Sequence, residues 1–485
     1  VFPNLKIILK DLGRIFIVLG LLMLLLSIVS VIFSEFALLS AVLLTAALAF
    51  CLGFVLRYIC RDARGPQLGH AMITATAAWL VVPAISSLLF IFVEEMRPLD
   101  SLFEAMSGWT GTGLTMFAHP SALTHTIQFW RSFMQWVGGI GVIVLMVTIL
   151  ARPGTASFFL YKAEAREEKI HPSIISTVRI LWWIYLLLTG FGIALFYLAG
   201  MSLWEAINHC MTGLATGGFT ITDGSIAYYS SPVVERALMP VMLLGAIPFV
   251  VHYRVLSGDL RAFLNDLQIR ALFLITLSLL GLLCVENYFS LYHSFSEAIR
   301  YSAFQLVSGL TCTGFQTTDV RAWSVTALGL VSLAMVIGGA AGSTSGGVKL
   351  IRAIIVKNDI SWSLARALLP RHAIKTFKFG DRFLWEEQIN TIVAEANLII
   401  ILWIVFLALG VAVLAHVVPP DYTLSEIIFE VASAQGNVGL STGIANAGLS
   451  AIGKITLILN MWIGRLEIIP VLMLFRSLFR GVEPI

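Results

Sequence analysis

Four short glycine-centred turns recur along this chain, each preceded by a helix-like segment and flanked by apolar spans long enough to cross a bilayer. The turns read Thr110-Gly111-Thr112-Gly113, Ala215-Thr216-Gly217-Gly218, Thr311-Cys312-Thr313-Gly314 and Gly436-Asn437-Val438-Gly439. In every copy a bulky apolar residue follows the last glycine, and Thr115, Thr220, Gln316 or Ser441 comes next. The last glycines lie 105, 96 and 125 residues apart. Solenoid units repeat every 20 to 50 residues or so; a period near a hundred suits one quarter of a four-part pore. Fourfold convergence of backbone carbonyls is a way to strip and select a metal cation.

The solvent of such a fold is lipid. The chain is 58% hydrophobic and 12% charged, with a mean hydropathy of +0.90. Soluble proteins carry about 25% charged residues, so these values describe a polytopic membrane protein. Apolar stretches near 12–33, 36–56, 71–93, 129–150, 178–200, 233–256, 270–289, 324–357, 391–418 and 451–480 predict ten crossings, each needing about 20 residues. The first is too long for a cleaved signal peptide, and a second span follows it closely. Lys and Arg fall in alternate connections: Lys6 to Arg14, Arg57 to Arg64, Arg152 to Arg179, Arg254 to Arg270, Lys349 to Arg382, and Arg476 with Arg480. The opposite connections hold only Arg97, Arg131, Arg236, Arg300, Arg321 and Lys454. The positive-inside rule therefore predicts a multi-pass protein of the cell inner (cytoplasmic) membrane. Both termini would be cytoplasmic and all four turns external. The net charge of +3 is this topological bias, with no nucleic-acid patch. Cys51, Cys60, Cys210, Cys284 and Cys312 show no paired spacing and read as small buried hydrophobes.

The fold class predicted is all-α: four pseudo-symmetric units of outer helix, pore helix and inner helix around one pore, plus an N-terminal two-helix hairpin. The hairpin covers 1–66, and the units cover 67–152, 153–258, 259–382 and 383–485. All units start and finish on one side, so they are parallel copies around an axis along the membrane normal. Thirteen residues before each last glycine stand Asp100, Glu205, Tyr301 and Glu426; in the third unit the acid, Glu297, comes a turn earlier. An acid at a helix start is favoured by the positive dipole end. Plain capping accounts for these acids, and it aims each short helix's C-terminus at the pore centre.

Potassium must exchange its water for oxygen ligands of similar strength, which backbone carbonyls supply. Glycine suits the partly φ > 0 backbone required. The candidate ion-binding residues are therefore Thr110, Gly111, Thr112 and Gly113; Ala215, Thr216, Gly217 and Gly218; Thr311, Cys312, Thr313 and Gly314; and Gly436, Asn437, Val438 and Gly439. The third inner span carries Gly338, Gly339, Gly342, Ser343, Thr344, Ser345, Gly346 and Gly347, followed by Val348 and Lys349. Ten small residues from 338 to 347 make a poor helix, since each interior glycine costs about 1 kcal/mol. Non-helical backbone at membrane depth must be buried or line water. A gating loop below the filter fits, and a small-residue helix contact is the alternative. Arg465 sits inside the last span and needs water or a partner. It reads as a pore-facing cation or as half of a buried ion pair with Glu395. Glu467 faces elsewhere on a continuous helix. The stretch Gly448 to Ile455 nearly fits a phosphate-binding loop, but Ile455 replaces the Mg²⁺-binding hydroxyl.

Three stretches carry a family resemblance: Arg131-Ser132-Phe133-Met134-Gln135-Trp136-Val137-Gly138-Gly139-Ile140-Gly141, Gly338 to Arg352, and Ile463-Gly464-Arg465-Leu466-Glu467-Ile468. With the four turns they resemble the Trk/Ktr/HKT superfamily of potassium transporters, most closely its TrkH branch, across essentially the whole chain. The resemblance implies K⁺ held at Gly113, Gly218, Gly314 and Gly439 and the carbonyls just before them, with no other cofactor. It implies an intramembrane gate at Gly338 to Gly347, an interfering arginine at Arg465, a homodimer, and a cytoplasmic ring of nucleotide-binding regulatory subunits. The basic segments 152–179 and 349–382 are then the expected docking surface. Two departures stand out: Gly111 where members often carry Thr, and the divergent fourth turn. Plant relatives that prefer sodium replace the first filter glycine with Ser, so Gly113 favours potassium. The function expected is channel-like potassium uptake, with no enzyme activity. A proton- or sodium-coupled symporter, using Glu395, is the alternative.

Overall fold

Apolar runs of twenty residues or more leave the backbone no partner in lipid except itself, and here they close into helices. The computed structural model describes residues 2–63, 68–141, 174–368, 377–379, 382–384 and 386–480. Helices α1 (Phe2–Ile32) and α2 (Leu39–Ile59) form the N-terminal hairpin. Three-helix units follow: α3 (Leu68–Glu94), α4 (Pro98–Thr110) and α5 (His125–Ile140), then α6 (Ile174–Leu198), α7 (Leu203–Leu214) and α8 (Pro232–Ala246). After α9 (Phe249–Leu256) and α10 (Arg261–Asn265) come α11 (Leu267–Asn287), α12 (Phe295–Leu310) and α13 (Val325–Ile337). Helix α14 (Leu350–Ala367) leads to the last unit, α15 (Glu386–Val417), α16 (Leu424–Gly436) and α17 (Ala451–Arg465), and α18 (Ile469–Arg480) ends it. A small antiparallel hairpin, Phe377–Phe379 with Arg382–Leu384, departs from the all-helical plan.

The units form a closed cycle. Each short helix packs on the outer and inner helices of its own unit and on the inner helix of the unit before it. Thus α7 meets α5, α12 meets α8, α16 meets α13, and α4 meets α17, which closes the ring from last unit to first. The hairpin packs mainly on the first unit, where α1 and α2 lie on α3 and α1 also meets α5. Accordingly 56% of the apolar window of α3 is buried, against 28% for α6, 28% for α11 and 22% for α15. The uncovered faces carry large apolar side chains such as Trp183, Phe191, Leu277, Ile401 and Leu409. Such a surface is stable when its solvent is hydrocarbon.

Polar bonds fasten the unit boundaries at the end where the short helices begin. Lys454 of α17 bonds Asp100 of α4, and both are buried. Arg300 of α12 holds Glu235 of α8 at 2.6 Å, and Arg321 holds Glu426 of α16 at 3.0 Å. Between the first two units, Trp204 donates its indole N–H to Gln128 at 2.9 Å. The starts of the short helices are built locally as well. Ser202 with Glu205 and Thr423 with Glu426 form complete capping boxes, each satisfying two orphan backbone donors. Lys454 is thereby engaged in an ion pair, unlike the free lysine of a phosphate-binding loop.

Six of the ten expected spans are long straight apolar helices, and the inner segments differ. Helices α8 and α9 meet at 102°, and α17 and α18 at 109°. Pro248 explains the first break, because the residue before proline is forced out of the helical region; Ile247 is extended, with φ −90° and ψ 143°. At the second, Glu467 and Ile468 both take left-handed backbone, with φ of 57° and 72°. The stretch 324–357 is helical to Ile337, irregular to Lys349, and helical again from Leu350. The fourth stretch is helical through Ile140, and its remainder from 142 lies outside the described residues. So do the expected unit boundaries at 66–67 and 152–153. Of the cysteines, Cys51 is exposed on α2 and does not belong to the core.

Replacing the capping hydroxyl should be felt. Thr423→Ala is expected to cost about 1 kcal/mol, seen as a lower apparent Tm of the detergent-solubilised protein; an unshifted Tm would mean that Arg321 alone fixes the start of α16.

Candidate functional site

The four short helices end identically. In each, the residue two before the last glycine is left-handed: Gly111 at φ 70°, Thr216 at 52°, Cys312 at 59° and Asn437 at 53°. The next amide reaches back five residues: Thr112 to Ser107 at 2.9 Å, Gly217 to Thr212 at 2.8 Å, Thr313 to Ser308 at 2.8 Å and Val438 to Ser433 at 2.9 Å. The left-handed residue's own amide reaches back three, at 3.1 to 3.2 Å in every copy. These are Schellman caps. A β-branched Thr216 in this region is a genuine outlier, of order 1–3 kcal/mol. The last glycines then turn left-handed too, at 92°, 73°, 86° and 94°.

The caps bring the turns into one ring. A Cβ added at Gly113 would strike the carbonyl oxygen of Gly217; at Gly218, that of Thr313; at Gly314, that of Val438; and at Gly439, that of Thr112. Each last glycine thus faces the carbonyl that precedes the last glycine of the next unit, in chain order, until the cycle closes. No side chain fits at these four positions. Asn437 adds a direct link, donating from its side-chain amide to Thr112 Oγ1 at 2.9 Å. Thr110 and Thr112 share a hydroxyl bond of 2.7 Å, and Thr311 and Thr313 do the same.

Buried polar side chains brace the ring from behind, at two positions that the turns themselves do not reveal. Six residues before the last glycine stand Ser107, Thr212, Ser308 and Ser433. Ser107 and Ser433 accept the amides of Gly113 and Gly439 at 3.0 and 2.9 Å, and Ser308 donates to the Phe315 carbonyl at 2.8 Å. Nine before it stand Glu104, His209, Gln305 and Glu430. Glu104 accepts the Met116 amide at 2.8 Å, and Glu430 the Thr442 amide at 2.9 Å. Gln305, its amide oriented to satisfy the network, accepts that of Thr317 at 2.9 Å. Counting back from the glycines finds both positions, since each holds a polar residue in all four units. Glu104 also carries an ion pair to Arg131 at 2.8 Å, with both side chains essentially inaccessible. Arg131 continues to the Thr220 carbonyl at 2.9 Å and lies over Phe219, so it spans from the first unit to the second turn.

Beneath the ring, the segment from Gly338 to Lys349 is irregular and buried for the most part. Its backbone bonds replace a helix's own: Ala340 to Ala246 at 3.1 Å, Thr344 to Gly245 at 3.1 Å, Gly347 to Gly436 at 3.1 Å, and Leu350 to Gly339 at 2.9 Å. Thr344 Oγ1 donates to the Leu214 or Gly245 carbonyl, at 3.0 and 2.9 Å. The loop therefore binds the carbonyl ends of the second and fourth short helices. Ser343 and Ser345 are joined at 2.7 Å.

Arg465 ends α17 beside this loop. It donates to the Thr344 carbonyl at 3.3 Å and to the carbonyls of Gly138 and Gly139, and lies over Trp79. With Ser343, Ser345, Lys349, Asn437 and Gly464 it lines one cavity. Glu395, the partner considered from sequence, is exposed on α15. Glu467 lies past the end of its helix, so helical spacing does not restrict it. It pairs with Lys349 at 2.6 Å and with Arg352. That pairing ties the end of the loop to the break between α17 and α18. Of the two basic segments expected to dock partners, residues 152–173, 369–376 and 380–381 lie outside the described residues.

Known proteins resemble this chain along nearly its whole length. The family model described as TrkH, cation transport protein, matches residues 38–480. An uncharacterized cation transporter of Methanocaldococcus jannaschii is 34% identical over 483 residues, covering 97% of this chain and 95% of the relative. The Trk system potassium uptake protein TrkH of Escherichia coli K12 is 31% identical, covering 90% of this chain and 91% of its own. The crystal structure of the potassium transporter TrkH from Vibrio parahaemolyticus superposes with a TM-score of 0.83 at 26% identity, over 98% of this chain and 99% of that one.

The buried Glu104–Arg131 pair sets an expectation. Breaking a buried pair from one side costs about 3–5 kcal/mol because a charge is stranded. Arg131→Met should therefore abolish the monodisperse gel-filtration peak, and adding Glu104→Gln should restore part of it. Wild-type yield from the single variant would contradict the stranding of Glu104.

Proposed function

We propose that this chain, which belongs to the TrkH family of cation transport proteins, takes up potassium through the ring of four turns by channel-like permeation. The single observation that carries this reading is the closed cycle of last glycines and preceding carbonyls. Peptide oxygens packed edge to edge replace an ion's water without adding a fixed charge. The short helices support the same role, since their C-terminal ends carry partial negative charge and converge on one place. The bacterial relatives, a potassium uptake protein and a potassium transporter, fit a K⁺ substrate.

The loop from Gly338 to Gly347 acts as the gate in this reading, with Lys349 at its end and Arg465 beside it. Its bonds to Ala246, Gly245 and Gly436 hold it under the ring. Opening requires exchanging those bonds for water or for one another, which a glycine-rich segment does with small steric penalty. Arg465 places a permanent cation on the same path and raises the barrier to a second one. The basic side of the bundle faces the cytoplasm by the positive-inside rule, and cytoplasmic regulatory subunits would dock there on a homodimer. The protein itself is a conductor and catalyses no covalent step.

Two measurements test the proposal. Gly314→Ala places a methyl group against the Val438 carbonyl, and ⁸⁶Rb⁺ or K⁺ flux into proteoliposomes should fall to background while the protein still purifies as a folded species. Retained flux would remove the ring from the ion path. Arg465→Ala, or deletion of Gly342 to Ser345, should raise K⁺ flux above the unmodified protein; equal flux in both would leave the loop without a gating role.

A further inference from the structure

The four inner helices share a spacing that the turns alone do not suggest. They read Gln135-Trp136-Val137-Gly138, Met242-Leu243-Leu244-Gly245, Met335-Val336-Ile337-Gly338 and Met461-Trp462-Ile463-Gly464. Three times a methionine stands three residues before the glycine, and once a glutamine. All four side chains are buried to within 1%. Gly138, Gly245 and Gly464 do equivalent work, each allowing the inner helix to touch the backbone carbonyl four residues before its unit's last filter glycine. Gln135 is therefore the polar exception at an otherwise apolar position.

That exception clasps the second turn. Gln135 Nε2 donates to the Gly217 carbonyl at 2.7 Å, and Gln135 Oε1 accepts the Phe219 amide at 2.9 Å. One amide thus brackets Gly218 from both sides, and only this orientation matches donor to acceptor at each end. The turn has changed to receive it. The residue before the last glycine is Thr112, Thr313 or Val438 in the other units and Gly217 here. A Cβ at Gly217 would fall 2.5 Å from the Gln135 amide carbon. The second turn also differs behind the ring, where His209 replaces the acceptors Glu104, Gln305 and Glu430. Its following segment is held instead by Arg131 through the Thr220 carbonyl at 2.9 Å. The second turn is thus fixed by the neighbouring unit's inner helix, whereas in the other units a side chain of the turn's own short helix takes the amide just beyond it.

We infer that Gln135 is a positioning residue for ion discrimination: it fixes the direction of the Gly217 carbonyl and so sets the preference for potassium over sodium. The inference rests on the proposed role of the ring. A carbonyl with one lone pair engaged by a buried amide cannot follow a smaller ion inward as freely as an unheld one. Selectivity by carbonyls depends on that resistance, or on their number and field strength, and the amide bond alters both.

The test uses reversal potentials of the purified chain in planar bilayers under opposing K⁺ and Na⁺ gradients. Gln135→Met installs the residue that the three sister helices use. Gln135→Leu removes the same bonds with a different shape. Both should lower the K⁺-over-Na⁺ permeability ratio about five- to tenfold, the scale of one hydrogen bond, while K⁺ flux persists and shows a folded protein. An unchanged ratio in both variants would overturn the inference and leave Gln135 as packing. If the unmodified chain discriminates no alkali ions, the proposed function itself fails, which is a separate result.

Discussion

Everything at the centre of this protein depends on a steric fact: four glycines stand where no Cβ can exist. Each faces a peptide carbonyl of the next unit at a separation that a side chain would violate. A ring this tight is possible only if each short helix ends at the same height and with the same handedness. The Schellman caps provide that, repeating one backbone conformation at Gly111, Thr216, Cys312 and Asn437. Two of these four, Thr216 and Cys312, are neither glycine nor asparagine, so there the left-handed turn is imposed against local preference. The surrounding hydrogen bonds must over-determine it.

Those bonds come from behind, and their placement explains the unit's design. A serine or threonine six residues before the last glycine and a polar residue nine before it occupy one face of the short helix. They are three apart and so lie side by side. In the first, third and fourth units the farther group takes the backbone amide just beyond the turn. The turn is therefore held at both ends by its own helix, which needs no loop of its own to be rigid. Burying Glu104 and Glu430 without such partners would be prohibitive; with four or more donors between them and Arg131, the carboxylates become struts.

The sequence made the four turns, the outer spans and the irregular loop legible because each is a local signal: glycine spacing, apolar length, and a run of small residues. The inner segments were harder. A 30-residue apolar stretch reads as one span, yet Pro248 and the left-handed pair Glu467 and Ile468 fold two of them back on themselves. The Pro248 break was visible in principle. The second was visible too, since Gly464 and Pro470 flank it; what could not be read was the ion cluster of Glu467 with Lys349 and Arg352 that lies at the break. Helical spacing likewise separated Arg465 from Glu467 only on the premise that the helix continues, and it ends at Arg465. Contacts between units, such as Lys454 with Asp100 or Gln135 with the second turn, join residues 354 and 82 positions apart. No local pattern encodes such distances.

A cyclic arrangement built from one chain can do what identical subunits cannot, which is to treat each quarter differently. The backbone caps are fourfold, but the supports are not. The second turn leans on Arg131 and Gln135 of the first unit, the fourth turn touches the first through Asn437, and the loop of the third unit bonds beneath the second and fourth. If that loop moves as the proposed gate, it pulls unequally on the ring. Its contacts with the Leu214 and Gly436 carbonyls lie directly under the second and fourth turns. Releasing them would free the carbonyl ends of those two short helices. Under the proposed gating role, the asymmetry would give the loop a mechanical path to the ring that strict fourfold symmetry would spread equally over all turns.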